Sequence, residues 1–333
     1  MKFIKVVFIL GILGLLAVYF IAFKPNFNTS KAAHIYIPSG ATYNHVLDTL
    51  QKYEIVKQDF GFNLIVNLLK YNKLVKPGKY NISEKQGNLS FIRKIRNGIQ
   101  DPVKVTLSNI DSPQELAQKL GKCLELDSSD FAAVILDSNS AIENPDIRWG
   151  KFLCDTYQLY WTTTPQNAME RMRKEFDRFW NAERTAKAKS LGLTPMQTVI
   201  LASIVQKETY KTDEQAKIAR VYINRIQQGI PLQADPTVKF ALGDPTIKRV
   251  LNKDLSIDSP YNTYKYSGLI PGPICLPEIS CIKEVLNAPK HDYIFFCAAP
   301  DFSGYHVFAT NARDHQNNAI KYQQALNTRK IYR

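Results

Sequence analysis

Cysteine and histidine are scarce in this chain, and neither falls into a pattern that carries chemistry. The five cysteines, Cys123, Cys154, Cys275, Cys281 and Cys297, are odd in number and none has CxxC spacing. A disulfide scaffold and a thiolate zinc site are both set aside as organising features. The five histidines form no HExxH or HxxxH run, so no metal and no cofactor is expected. Acidic residues are outnumbered as well: 30 Asp and Glu stand against 43 Lys and Arg, for a formal net charge of +13. Such a balance suits nucleic acid, an anionic membrane surface or an acidic polymer, and by itself chooses none of them. The basic residues are scattered rather than gathered into an arm, and no nucleic-acid module is recognisable. The charge is therefore read as a solvated surface, with no nucleic-acid partner. Internal repeats and low-complexity tracts are also absent.

What is present is a chain of 333 residues, 45% hydrophobic, enough for a substantial core and for two or three folding units. Its longest apolar run, Val6 to Phe23 (VVFILGILGLLAVYFIAF), is uncharged. As a helix it rises about 27 Å, close to the thickness of a hydrocarbon core. Lys2 and Lys5 precede it, which by the positive-inside rule holds the N-terminus in the cytoplasm and sends the rest across. The competing reading is a cleaved signal peptide. Nothing between Ala17 and Lys24 resembles a small-x-small cleavage site, so an uncleaved anchor is expected. The expected order is a cytoplasmic N-terminus (1–5), a transmembrane helix (6–23), a linker (24–33), a small α+β module (34–107) and a mainly helical part with a few strands (108–333).

Within the module, His34 to Pro38 alternates as a strand, and Thr42 to Tyr53 carries helical spacing through Val46, Leu47 and Leu50. Lys76 to Ile82 reads as turn into strand, Leu89 to Asn97 as a helix closed by Gly98, and Pro102 to Leu107 as another strand. Beyond it, Ser112-Pro113-Gln114-Glu115 and Thr194-Pro195-Met196-Gln197 are capping boxes with Pro at the first helical position. Thr164-Pro165 opens a core-packing helix through Met169, Met172, Phe176 and Trp180. Thr212-Asp213-Glu214-Gln215 is read as the cap of a further helix ending at Gly229.

Chemistry concentrates after Thr194. Glu208 follows Leu201 by seven residues, Ile204 by four and Val205 by three, which places its carboxyl on the apolar stripe of a helix. There desolvation favours the neutral form and raises the pKa toward the range of a general acid. The plainer reading is a stripe-ending glutamate that reaches solvent or pairs with Lys207 or Lys211. Leu232 to Thr237 reads as a polar turn able to face Glu208 across a groove. The Pro/Gly/Tyr-rich stretches 259–264 and 268–274 suit sugars, whose apolar faces stack on rings while amides bind hydroxyls, or are ordinary surface loops.

These segments, ASIVQKET (202–209), INR (223–225), LQADPTV (232–238), SPYNTY (259–264), GLIPGPI (268–274) and HVFAT (306–310) with Asn311, resemble the MltG (YceG-like) endolytic murein transglycosylases. Asp155-Thr156-Tyr157, with Tyr160 and Trp161 nearby, resembles that family's Asp-Thr-Tyr signature. The resemblance implies that residues 34–107 are a LysM-like module and 108–333 a YceG-like, lytic-transglycosylase-like catalytic domain. It implies a periplasmic enzyme of the cytoplasmic membrane that cuts peptidoglycan glycan strands without water, leaving a 1,6-anhydro end, with peptidoglycan synthases as protein partners. It makes Glu208 the single acid/base. Gln233, Asp235 and Asn262 would position substrate, with Thr237 beside them and Tyr261, Tyr264 and Tyr157 as wall residues. Two positions depart from the family: Gln206 stands where it often has Glu, leaving Glu208 as the only candidate in the motif, and Cys154 stands where Pro is common. Cys154 is read as structural, since no neighbouring His offers activation. A hydrolase using Asp235 as second carboxylate and a non-catalytic wall-binding scaffold are the alternatives.

Overall fold

Alternating and helical apolar spacing dominates the chain, and the structure, a computed structural model that describes residues 2–137, 145–244, 247 and 249–329, is a mostly helical α+β protein with small two-stranded sheets. It divides into two units. Unit 1 is Met1–Val105, Leu120–Asp127 and Gln158–Thr164; unit 2 is Thr106–Lys119, Ser128–Tyr157 and Pro165–Arg333.

Unit 1 begins with α1 (Lys2–Phe23), of which Phe3–Phe23 is long and apolar enough to cross a membrane. Its end is clamped. The Asn88 side-chain amide donates to Ile21 O (2.9 Å), satisfying a carbonyl that a helix C-terminus leaves open. Gly87 lies so near Phe23 that a Cβ there would fall 2.6 Å from the Phe23 carbonyl oxygen. Residues 24–33, expected as a linker, are instead woven into the unit. Phe27 is fully buried against Phe62 and Phe91, and Asn26 bonds the backbone of Gln58 in both directions. Polar composition misleads here, because the buried Asn26 side chain is engaged by the Gln58 backbone and the Asn88 side chain rather than by water.

The rest of the unit is β1 (His34–Ile37), α2 (Tyr43–Lys52), α3 (Asp59–Leu68), β2 (Gly78–Asn81) and α4 (Asn88–Asn97). β1 and β2 pair antiparallel with Ile35 opposite Tyr80. Ile35, Ile37, Val46, Leu50, Phe62, Tyr80 and Phe91 fill the core between them. Gly98, with φ 70°, ends α4 in the left-handed conformation a side chain would strain. β3 (Val103–Thr106) pairs with β4 (Thr156–Leu159) in a further sheet. β1, α2, β2, α4 and β3 match the sequence expectations within a residue or two, α1 starts four residues before the expected span, and no expectation covered α3 or β4.

The remaining helices are α5 (Pro113–Cys123), α6 (Ser128–Ile135), α7 (Pro145–Arg148), α8 (Pro165–Phe179), α9 (Ala182–Ser190), α10 (Pro195–Glu208), α11 (Thr212–Gln227), α12 (Asp235–Leu242), α13 (Ile279–Leu286) and α14 (Ala312–Thr328). The hairpin β5 (Phe295–Ala298) and β6 (His306–Ala309) precedes α14. Helix α10 is the axis of unit 2: every residue from Thr198 to Val205 is buried, and α11, α12 and α13 pack around it. Its capping box forms as expected, with Gln197 N donating to Thr194 Oγ1 and Thr194 N to Gln197 Oε1 (2.8 Å). A buried hydroxyl inside it is fully used: Ser203 Oγ donates to Ile200 O and accepts from Ile274 N (3.1 Å), tying the 268–276 segment to the helix.

Three local expectations need correction. At α5, Glu115 N reaches Ser112 Oγ as in a capping box, but the Glu115 carboxylate takes the amide of Asp111, one residue before the cap. At α11 the cap position is Lys211, not Thr212, and it makes no side-chain cap bond; the Glu214 carboxylate, three residues on, is committed to His306, accepting from its backbone N (2.9 Å) and contacting its Nδ1 (2.7 Å). The stretch read as a polar turn, 232–237, is a turn only to Ala234; Asp235-Pro236-Thr237 opens α12, with Pro where a helix needs no amide donor.

Candidate active site

Helix α10 delivers Glu208 as its last helical residue, and Thr209 leaves in extended conformation. The Tyr222 hydroxyl, on α11, donates to Glu208 Oε2 (3.3 Å). The two lysines named above as partners for the carboxyl are engaged elsewhere: Lys207 pairs with Asp111 (2.6 Å) and Lys211 lies over the Tyr305 ring (4.7 Å). Burial pushes the Glu208 carboxyl up to about 7, with Asp235 adding to the rise, against the pull of His306, the Tyr222 hydrogen bond and Lys239. A carboxylate at a helix C-terminus also meets the negative end of the helix dipole, which acts in the same direction. The stripe is not distinctive over most of the helix, however, since α10 is buried on all sides from Thr198 to Val205 and becomes one-sided only at Gln206 and the exposed Lys207.

Glu208 opens into a cleft of about 360 Å³ lined by Tyr222, Arg225, Leu232, Gln233, Asp235, Tyr264, Phe295, Phe296 and His315. Four of the sequence-nominated residues therefore meet: Glu208, Gln233, Asp235 and Tyr264. Gln233 is held in the left-handed region (φ 52°), where its amide bonds Thr263 O (3.0 Å) and its Oε1 accepts from Arg225 Nη1 (3.3 Å). Asp235 heads α12, where the helix dipole favours an anion, and accepts from the Tyr264 hydroxyl (2.6 Å).

The other nominees hold the scaffold. Asn262 is fully buried: its Nδ2 donates to Leu255 O and Ile257 O, and its Oδ1 accepts from Tyr264 N (3.0 Å), which shapes the turn that presents Tyr264. Thr237 is fully buried on Ala234 O and Thr263 Oγ1. The Tyr261 ring packs on Phe240 (4.8 Å), and the Tyr157 hydroxyl donates to Leu153 O (2.9 Å). Neither ring lines the cleft. Cys154 is buried, donates to Leu276 O (3.3 Å), and has its thiol pushed up to about 12 by burial, so it is not a nucleophile. Gln206 Oε1 accepts from Glu278 N (2.6 Å), a structural contact.

Sequence reasoning missed Tyr222, Arg225, Phe295, Phe296 and His315. Arg225 is buried and clips three segments together: Nε donates to Ile294 O (2.7 Å), Nη1 to Pro231 O (3.0 Å) and Leu232 O (2.8 Å). His315 stacks on Phe295 (5.0 Å), and burial with the nearby Arg225 charge keeps its pKa low; its Nδ1 has no hydrogen-bond partner among the described residues. In unit 1, a separate cleft of about 440 Å³ follows β1, lined among others by Tyr36, Ser39, Gly40, His45 and Asp48.

The described residues thus gather a carboxyl of raised pKa, a second carboxylate, amide and hydroxyl groups and aromatic rings around one cleft of a mostly helical protein. The YceG-like family model matches residues 35–321, and the chain belongs to that family. Similar proteins include the endolytic murein transglycosylase of Streptococcus pneumoniae serotype 2 (strain D39 / NCTC 7466), 26% identical over 328 residues and covering 89% of this chain. The chain spans 59% of that relative's length. The endolytic murein transglycosylase of Bacillus subtilis (strain 168) is 26% identical over 321 residues, covering 90% of this chain and 87% of the relative. The fold is similar to the 2.6 Å crystal structure of a yceG-like protein from Listeria monocytogenes, with a TM-score of 0.55 and 24% identity, covering 85% of this chain and 97% of that one.

Proposed function

We propose that this protein is a membrane-anchored lytic transglycosylase that cuts peptidoglycan glycan strands internally, with Glu208 as its one acid/base. The observation that carries the reading is the Glu208 carboxyl, raised to about 7 inside the cleft, where it holds a proton to give and becomes a usable base once it has given it. The bond cleaved joins C1 of N-acetylmuramic acid to O4 of N-acetylglucosamine. Glu208 protonates that oxygen as the C1–O4 bond breaks, and the resulting carboxylate takes the proton of the muramic C6 hydroxyl as its oxygen bonds C1. The residue ends protonated, no water is consumed and the product is a 1,6-anhydro end. The Tyr222 hydrogen bond fixes the carboxyl and steadies its ionised form, while the Asp235 carboxylate opposes the positive charge that builds on the ring. Gln233 and Tyr264 supply amide and hydroxyl contacts for the sugar.

Support also comes from the names of the pneumococcal and Bacillus relatives. The β–α–α–β order of residues 34–81, with antiparallel strands, supports a LysM-like module whose cleft contacts the same strand. The apolar α1 beside Lys2 and Lys5 supports a single span with the N-terminus in the cytoplasm and the chain beyond Phe23 on the wall side.

Asp235 in the same cleft favours one second reading, a muramidase-type hydrolase in which it activates water. Mass spectrometry of products from purified sacculi separates the two, since hydrolysis leaves a reducing end one water heavier than the anhydro form. Glu208→Gln folds and releases no anhydro-muropeptides; substantial release by that variant would falsify the assignment.

A further inference from the structure

Helix α3 is apolar on two faces. Phe62, Ile65 and Val66 are buried in the core of unit 1, yet Phe60, Leu64 and Leu68, spaced four residues apart along one flank, are 78%, 46% and 71% exposed. Asn63 and Asn67 share the exposed side, but a surface helix ordinarily carries no row of large apolar side chains beside such polar groups. A contiguous row of large apolar side chains marks a contact surface.

The position of α1 says what the contact is. Its uncharged stretch, Val6 to Phe23, rises about 27 Å against a hydrocarbon core of about 30 Å, so Phe20 to Phe23 lie where acyl chains give way to head groups. Phe60 lines one small cavity with Phe20, Ile21 and Lys24. The bond from Asn88 to Ile21 O and the close approach of Gly87 to Phe23 fix this end of α1 to the unit, so α3 starts at the level of that boundary. Lys24 and Lys57 are exposed near the start of α3 and Lys70 beyond its end, placed to meet lipid phosphates while their stems cover apolar surface. We propose that α3 lies in the membrane–water interface, with Phe60, Leu64 and Leu68 seated at the acyl–head-group boundary of the leaflet that α1 exits. This rests on reading α1 as a retained span and goes beyond it, because unit 1 is then held against the bilayer by two elements.

The test uses the full chain in nanodiscs of phosphatidylglycerol and phosphatidylcholine, with Phe60→Trp, Leu68→Trp and Ile99→Trp made one at a time. Ile99 is 60% exposed in the same unit, just past the end of α4 farthest from α1. Emission, corrected for the three native tryptophans, is compared in lipid with and without bromine on the upper acyl chain. Emission at 60 and 68 falls severalfold in brominated lipid while that at 99 does not. Quenching at 60 alone, equal quenching at all three positions, or none at 60 and 68 overturns the proposal. The intact mass of the same preparation reports on α1 independently: its loss, with quenching at 60 and 68 retained, would refute the anchor and leave the α3 contact standing.

Discussion

Replacing Glu208 by Gln is expected to stabilise unit 2 while removing its chemistry, and the size of the gain depends on pH in a way that can be worked out. The folded carboxyl titrates near 7 against an ordinary value of 4.5, so the folded state keeps a proton that the unfolded chain releases between those limits. Stability is therefore unaffected below pH 4.5, falls as pH rises through the window, and carries the full cost above about 7. At 1.36 kcal/mol per unit the cost approaches about 3 kcal/mol, an upper bound because the side chain keeps some contact with solvent. Gln mimics the neutral form and still accepts from Tyr222, so Glu208→Gln gains up to about 3 kcal/mol at pH 8 and close to nothing at pH 4. Hydrogen exchange of the α10 and α11 amides, on the full chain in detergent, reads unit 2 without requiring the two units to unfold together. Equal stabilisation at both pH values would mean a packing effect, and destabilisation at pH 8 would mean that Glu208 is stabilised as an anion; either result refutes the reasoning.

The same electrostatics set the alkaline limb of the pH–rate profile for anhydro-muropeptide release, since the acid must be protonated. Tyr222→Phe removes a contact that favours the anion and moves that limb to higher pH, whereas Asp235→Asn removes a neighbouring negative charge and moves it to lower pH; shifts in the opposite senses would discard the assignment of the limb to Glu208. Arg225→Lys keeps the charge but cannot span Ile294 O, Pro231 O and Leu232 O together, so it costs about 2–4 kcal/mol in thermal or chemical unfolding, and an unchanged midpoint would show that the clip is idle.

How much of this was legible in the sequence depended on whether a residue's partner was near it in the chain. The capping box at Thr194 and the alternation of β1 are local signals, and both held. Asn262 lies away from the cleft, and composition could not foresee it, because it cannot tell an Asn that faces a ligand from one that holds its own turn. Asn262 spends its side chain on Leu255, Ile257 and Tyr264, whereas Gln233, in the left-handed region, reaches the cleft. Arg225 and His315 are ninety residues apart and meet only through the β5 hairpin, with no pattern to announce it.

Helices α3 and α10 show why amphipathic spacing has a limit. Periodicity detects a helix by the contrast between a face in contact with protein and a face in contact with water, so it fails when both faces meet apolar surroundings. In α10 the second face is more protein, and Glu208 was correctly placed inward although Thr198 to Val205 are buried whichever way they point. Its capping box, not its stripe, made that helix readable. In α3 no cap hydrogen bond marks the start, Gly61 weakens the helical signal, and Phe60, Leu64 and Leu68 leave only Asp59, Asn63 and Asn67 to mark a polar side. The feature that hid α3 in the sequence is thus the one that the bilayer contact accounts for: with lipid as the solvent on that flank, a helix apolar on two sides is as consistent with its surroundings as an amphipathic one is with water.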